Sequence, residues 1–202
     1  MKKFFAMIAM VVLSAPSFAQ YSSGGFTLDE ENLYYGVRIG LNVASFGGDD
    51  LGLGSKVGMN LAGVIGLRVS NSAPVFLESG LYYSEKGGKE DNVTVSYNNL
   101  EIPILVKYGF KASDNIAVLP FLGPTFGYAI KSKTFVKGGA GEFSGDLLKM
   151  RRPNMGFKLG VGAEYDNIYL ELGYQFGITN ITKLDDATVR ANNFFVNFGV
   201  NF

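Results

Sequence analysis

Apolar and polar residues alternate along most of the chain, from residue 34 to the C-terminus. An alternation of period two gives a β-strand one apolar face and one small or polar face. The clearest case is the last segment, 192–202, in which Phe194, Val196, Phe198, Val200 and Phe202 share one face. We predict eight strands with this pattern, over residues 35–43, 59–69, 75–84, 100–108, 116–130, 155–165, 168–178 and 192–202.

The connections between these strands alternate in length, which predicts an antiparallel up-and-down arrangement. An even number of strands of about eleven residues, tilted by about 40°, is about 25 Å tall, the height of the apolar layer of a bilayer. The predicted fold class is therefore all-β, an eight-stranded transmembrane β-barrel. The predicted short turns are 70–74, 111–115 and 166–167, and the predicted long loops are 45–57, 85–96, 131–153 and 180–191.

The turn Asp166-Asn167 also predicts a register, because a two-residue hairpin aligns the residues on either side of it. All the aligned residues then fall on the apolar face, so the prediction is self-consistent. The expected pairs are Tyr165 with Ile168, Ala163 with Leu170, and Val161 with Leu172.

Three prolines fall inside predicted strands, at Pro103, Pro120 and Pro124. Proline has no N–H to donate to the neighbouring strand, and a closed barrel has no free edge on which to place it. We therefore expect a bulge or a local break where the strands 100–108 and 116–130 pair.

The first 19 residues have the pattern of a cleaved signal peptide. Lys2 and Lys3 precede an apolar run over residues 4–13, which is too short for a spanning helix, and small residues follow at 17 and 19. We expect a periplasmic linker over residues 20–33 and the barrel over 34–202. The chain has 18 basic and 18 acidic residues, so cleavage would leave a net charge of −2, which argues against a nucleic-acid partner.

The chemistry of the polar face indicates that the apolar face points outward. That face is largely Gly, Ala and Asn, which suits the narrow interior of eight strands better than a surface exposed to water. Tyr and Phe near the strand ends resemble the aromatic girdles of membrane barrels. A soluble lipocalin-like barrel that binds a ligand inside is the alternative.

Two sequence features carry a resemblance to a known family. The final strand, with alternating aromatic residues and Phe at its end, resembles the assembly signal of bacterial outer-membrane barrels, here Phe198, Val200 and Phe202. Residues 100–108, LEIPILVKY, and Gly123-Pro124 resemble strands of the small porin-like outer membrane protein β-barrel domain family of the OmpX and PorT types.

This resemblance implies an outer-membrane protein with both termini in the periplasm. It implies insertion by the barrel-assembly machinery and contact with outer-membrane lipid. The sequence does not determine the oligomeric state, and we expect a monomer.

Charged residues on the polar face predict a network inside the barrel. Four cations and four anions balance each other, and unpaired charges there would cost several kcal/mol each. We expect a salt-bridged plug, with a proton or ion path as the alternative. The residues are Arg38, Arg68, Lys107, Lys158, Glu78, Glu101, Glu164 and Glu171.

Composition also limits the chemistry. The chain has no His and no Cys, which excludes close analogues of barrels with a catalytic His, a Cys nucleophile and His-bearing metal sites. The acidic pairs Asp49-Asp50 and Asp185-Asp186 lack EF-hand spacing, so we interpret them as solvated loop residues. We predict no enzymatic activity, no metal and no cofactor.

The predicted loop 131–153 has a local charge of +4 over residues 131–152, from six cations and two anions. Lys and Arg bind phosphate well, and the head groups of lipopolysaccharide present phosphates at this height. The candidate contacts are Lys149, Arg151 and Arg152, with an ordinary solvated loop as the alternative. The predicted function is structural or interactive, in membrane integrity, loop-mediated binding or an envelope complex, and a narrow porin is the alternative.

Overall fold

The computed structural model describes residues 33–202 except 49–53, 71, 91–92, 114, 139–140, 146–150 and 183–187. The predicted signal peptide and the linker up to residue 32 lie outside the described residues. Across the described part of the chain, no helix is long and apolar enough to cross a membrane. The strands are β1 (Leu33–Gly48), β2 (Gly54–Arg68), β3 (Val75–Glu90), β4 (Val93–Tyr108), β5 (Phe110–Ser113), β6 (Ile116–Gly138), β7 (Gly141–Gly145), β8 (Pro153–Tyr165), β9 (Ile168–Gly177) and β10 (Val189–Asn201).

The sheet closes on itself as an antiparallel barrel. Each strand pairs with its neighbours in the order β4-β3-β2-β1-β10-β9-β8-β6, and β4 pairs with β6 to complete the ring. The short strands β5 and β7 pair with β6 at its two ends. The predicted eight-stranded up-and-down barrel is confirmed.

The register predicted from the Asp166-Asn167 turn is also confirmed. Tyr165 pairs with Ile168, and the ladder continues from there without a shift. Asp166 has φ 50°, a left-handed conformation that Asp and Asn adopt more readily than most residues. The turn chemistry therefore aligns two strands for their whole length.

Strands extend further than predicted on the side of the long connections. Residues 85–90 and 93–96 were predicted as loop, but they continue β3 and β4, and residues 131–138 continue β6. The flanks 45–48 and 54–57 of the first long connection are strand as well. Alternation is weak there because both faces carry polar or small residues, so the hydrophobic pattern gives no signal. We call this side of the barrel the loop end, and the side with residues 69–74, 115 and 166–167 the turn end.

The local break expected where β4 and β6 pair is present. The ladder is interrupted at Ile104 and Leu105, opposite Pro124 and Gly123, without a change of register. On the other side Pro120 and Pro124 pair in continuous register with β8. The ladder between β3 and β4 is interrupted next to Pro103, where Ser79 Oγ donates to Pro103 O at 2.7 Å. The register shift between β4 and β6 lies at Asn98, on the loop side of Pro103.

The outer wall carries a continuous apolar belt. Leu41 is 57% exposed, Leu81 54% and Phe198 50%, and the other apolar positions of the wall are similar. Aromatic side chains border the belt at the turn end, at Tyr35, Tyr108, Phe110 and Tyr165, and at the loop end, at Tyr83, Tyr128, Tyr174 and Phe176. An apolar belt between two aromatic girdles is the surface that a barrel presents to a bilayer.

Candidate functional site

The inside of the barrel near the turn end is organised around one carboxylate. Oε2 of Glu78, on β3, accepts hydrogen bonds from Tyr34 Oη on β1 and from Lys107 Nζ on β4, both at 2.7 Å. The guanidinium of Arg38 lies 3.6 Å from the same oxygen. A single anion on β3 thus bonds side chains from β1 and β4, and all of these side chains are buried.

This network continues across the opposite wall. Lys107 also donates to Tyr169 Oη at 2.8 Å, and the Arg38 guanidinium lies 4.0 Å from the centre of the Tyr169 ring. Arg38 donates to Asn201 Oδ1 at 2.6 Å, and the Asn201 amide donates to Glu164 Oε1 at 2.8 Å. The network therefore joins β1, β3 and β4 to β8, β9 and β10.

A second network lies nearer the loop end. Glu101 on β4 pairs with Lys86 on β3 through a short contact, and Lys158 on β8 lies 4.0 Å away from its other oxygen. Gln175 donates both to Glu101 at 3.3 Å and to Thr125 at 3.1 Å. Lys86 and Glu101 lie on neighbouring strands, whereas the contacts of Lys158 and Gln175 cross the lumen between strands that are not neighbours in the sheet.

Apolar and aromatic side chains fill the space between the two networks. Phe121 and Phe195 stack with their ring centres 6.4 Å apart, and Lys158 lies 4.2 Å from the centre of the Tyr82 ring. Glycines accommodate the rings: a Cβ on Gly66 would collide with the ring of Tyr34. Small residues on the inner face therefore leave space for the large ones, because the interior of an eight-stranded barrel is only just wide enough for side chains.

The loop end is closed by residues that the sequence did not mark. Ile181, in the connection from β9 to β10, is 1% exposed and packs with Val95, Tyr97, Ala129 and Val189. Its backbone N–H donates to Val189 O at 2.9 Å, and its carbonyl accepts from Arg151 N–H at 2.7 Å. We call residues 178–182 the cap, because they place an apolar side chain in the mouth of the barrel.

Most of the predicted lumen charges lie inside. Arg38, Glu78, Glu101, Lys107, Lys158, Glu164 and Glu171 are buried, and Glu171 accepts from the Asn197 amide at 2.6 Å. Arg68 lies at the turn end instead, half-buried, where Nε donates to Ser70 O at 2.9 Å. Lys86 also belongs to the inner set, and the alternation does not indicate it because residues 85–90 have no regular apolar pattern.

The other predicted site residues lie on the outer surface or outside the described part. Arg151 and Arg152 are exposed at the loop end, whereas Lys149 is not among the described residues. Phe198 points outward on β10 and pairs with Ile39 of β1, with Val200 and Phe202 on the same face. The acidic pairs 49–50 and 185–186 are outside the described residues, and within the described ranges no group of three acidic side chains is placed to hold a metal ion.

A closed antiparallel barrel with an apolar belt, two aromatic girdles and a polar, filled interior defines a transmembrane β-barrel. Residues 18–183 match the family model described as outer membrane protein beta-barrel domain. The chain belongs to this family, and its location is the bacterial outer membrane.

Several solved structures are similar to this chain. Neisserial surface protein A is 18% identical, with 85% of this chain and 98% of that one covered and a TM-score of 0.49. Ail, the attachment invasion locus protein of Yersinia pestis, is 14% identical, with 85% and 100% covered and a TM-score of 0.46. The outer membrane enzyme PagL is 12% identical, with 81% and 98% covered and a TM-score of 0.45. No curated protein matches the sequence.

Proposed function

We propose that this protein is a closed, non-conducting and non-enzymatic barrel that acts through its loop end. The observation that carries the proposal is the bonding of the lumen charges to one another across the barrel, from Tyr34 on β1 through Glu78 and Lys107 to Tyr169 on β9. A continuous column of water through the lumen could form only if these bonded side chains separated. Breaking one buried ion pair by removing a partner costs about 3–5 kcal/mol.

The buried carboxylates of the lumen are not accessible to a substrate, which supports a non-enzymatic role. The carboxylates of Glu78 and Glu101 are at most 1% exposed and are bonded to lysines. A carboxylate held in this way has no contact with an outer-leaflet substrate, and the chain has no His or Cys to act as base or nucleophile. The role left to the protein is structural or interactive.

Planar-bilayer conductance of the refolded protein tests the closed lumen, with heat-modifiable gel mobility showing that it is folded. The wild type should give no discrete openings. The double variant Lys86→Ser with Glu101→Ser removes the Lys86–Glu101 pair and the carboxylate that faces Lys158, without changing net charge, and it should conduct in brief steps. Stable openings of the wild type would replace this proposal with the narrow porin.

We further propose that the exposed arginines of the loop end contact lipopolysaccharide. Arg151 and Arg152 directly precede β8, and their backbone is held by the cap and by β6, through Arg151 N–H to Ile181 O and Ala129 N–H to Arg152 O. Guanidinium groups on an anchored backbone bind phosphate well. Changing Lys149, Arg151 and Arg152 to Ser should weaken lipopolysaccharide binding, and unchanged binding would refute this contact.

A further inference from the structure

The outer wall on the loop-end side of the apolar belt carries two lysines, Lys56 and Lys131, that are not part of the lumen networks. On β3, β4 and β6, the outward-facing residues Tyr83, Leu100 and Tyr128 pair side by side near the loop end of the apolar belt. The next outward row is Glu85, Asn98 and Lys131. A residue two positions further along a tilted strand lies about 5 Å further from the membrane centre.

A second lysine, Lys56 on β2, reaches the part of the wall around Glu85, Asn98 and Lys131, which we call the basic patch. Lys56 Nζ donates to Ser96 Oγ on β4 at 2.8 Å, so its side chain crosses over β3. It crosses at Gly87, where an added Cβ would lie 2.9 Å from Lys56 Cδ. The missing side chain of Gly87, which pairs with Ser96, leaves the path that this lysine occupies.

The basic patch has more positive charge than it neutralises itself. Ser96, to which Lys56 donates, lies two residues from Asn98, and Asn98 pairs with Glu85 on one side and with Lys131 on the other. The two lysines therefore lie on either side of one carboxylate. Glu85 in turn accepts a hydrogen bond from Tyr83 Oη at 3.0 Å, and Tyr83 accepts one from the Asn98 amide at 2.7 Å.

Among the described residues, the ion pairs join lumen groups, and none includes Lys56 or Lys131. Two cations next to the loop-end girdle, Lys131 exposed and Lys56 half-buried, lie at the level of lipid head groups. Basic residues at this level recognise anionic head groups. The ligand that fits this arrangement is the phosphate of a lipid, because the acyl chains of the lipid keep the phosphate at the membrane surface.

We propose that Lys56 and Lys131, with the hydroxyl of Ser96, form a binding site for the phosphate of an outer-leaflet lipid, on the wall formed by β2, β3, β4 and β6. The acyl chains of this lipid lie along Leu81, Leu100 and Ile102, which are exposed directly below the site. The proposal rests on the outer-membrane location and not on the closed lumen, so a conducting barrel would not contradict it. It is also separate from the contact at Arg151 and Arg152.

Native mass spectrometry of the refolded protein, titrated with diphosphoryl lipid A and with dephosphorylated lipid A, tests the site. Each lysine near a membrane surface contributes about fivefold in affinity for an anionic lipid. The double variant Lys56→Gln with Lys131→Gln should therefore bind diphosphoryl lipid A roughly twenty-five-fold more weakly. Its affinity for the dephosphorylated lipid should not change.

Two further variants make the test specific. Lys111→Gln removes an exposed lysine at the turn end and should bind as the wild type does. Glu85→Gln removes the shared carboxylate and should bind diphosphoryl lipid A about fivefold more tightly. If the double variant is poorly folded by gel mobility, Lys131→Gln alone, at an exposed position, should still show about a fivefold loss.

Equal binding of diphosphoryl lipid A by the wild type and the double variant would overturn the proposal. Complete displacement of the lipid by millimolar inorganic phosphate would overturn it too, because the site would then take a free anion. The triple change at 149, 151 and 152 is assayed in parallel, so that failure of the loop contact is seen separately.

Discussion

The carboxylate of Glu78 and the ammonium of Lys107 lie 2.7 Å apart inside the barrel, on the neighbouring strands β3 and β4. The same oxygen of Glu78 also accepts from Tyr34 and faces Arg38. One anion therefore neutralises two buried cations. This dependence makes Glu78 the residue whose loss should affect the barrel most.

Glu78→Gln should lower the free energy of unfolding by about 3–5 kcal/mol, because it leaves Arg38 and Lys107 buried without their anion. Urea unfolding in lipid vesicles, followed by gel mobility, measures the change. The matched control is Glu164→Gln. Glu164 is equally buried but accepts from the Asn201 amide, so its change should cost about 1 kcal/mol. Equal effects of the two substitutions would contradict the central position of Glu78.

The fit of Tyr34 against Gly66 gives a second prediction. Gly66→Ala places a Cβ within the ring of Tyr34 and should destabilise the barrel by about 1–3 kcal/mol. Gly63→Ala is the control on the same strand. No atom lies within 4 Å of its added Cβ, so the stability should stay the same or rise by about 0.5–1 kcal/mol. A neutral Gly66→Ala would show that Tyr34 does not fill this space.

The cap should open without the barrel unfolding. Ile181→Ala removes the apolar contact with Val95 and Tyr97 and should weaken the closed cap by about 2–5 kcal/mol. Hydrogen exchange of the amides near Ile181 and Val189 should accelerate, while heat-modifiable mobility stays unchanged. Ile178→Ala, at a position 58% exposed on the outer surface, should leave this exchange as in the wild type. Slow exchange in Ile181→Ala would mean that the hydrogen bonds alone hold the cap.

Depth in the membrane predicts the cost of a charge on the belt. Leu172 lies in the middle of β9, between Val161 and Val196, so Leu172→Arg should cost about 2–4 kcal/mol. Leu33→Arg, at the turn end of β1, should cost about 0–1 kcal/mol. Unfolding titrations in vesicles compare the two. Equal costs would mean that the apolar layer is displaced from the position given by the girdles.

Local pattern was sufficient for much of the wall. Period-two alternation located all eight barrel strands, and the two residues of the Asp166-Asn167 turn determined a register that the structure confirms. Both features depend on neighbours in sequence, so one chain contains the whole signal. The inward set of charges also follows from alternation once the apolar face is assigned to lipid.

Contacts across the lumen could not be predicted in the same way. Tyr34 and Tyr169 are on the inner face, but the alternation does not show that Tyr34 contacts Glu78 or that Tyr169 contacts Lys107. These contacts depend on the stagger of the strands around the barrel. Lys86 and Ile181 lie in segments without regular alternation, so their burial had no signature. Arg68 had the right parity but lies at a strand end, where a backbone carbonyl satisfies it.

The sharing of Glu78 by several partners also has an evolutionary consequence. A substitution at this position leaves two cations unmatched, so inner residues should change in coordinated sets rather than one at a time. The belt has no such linkage, because Leu, Ile, Val and Phe exchange freely against lipid. Divergence of this barrel should therefore be continuous on its outside and stepwise on its inside, with the lumen preserving a record of ancestry after the wall has lost it.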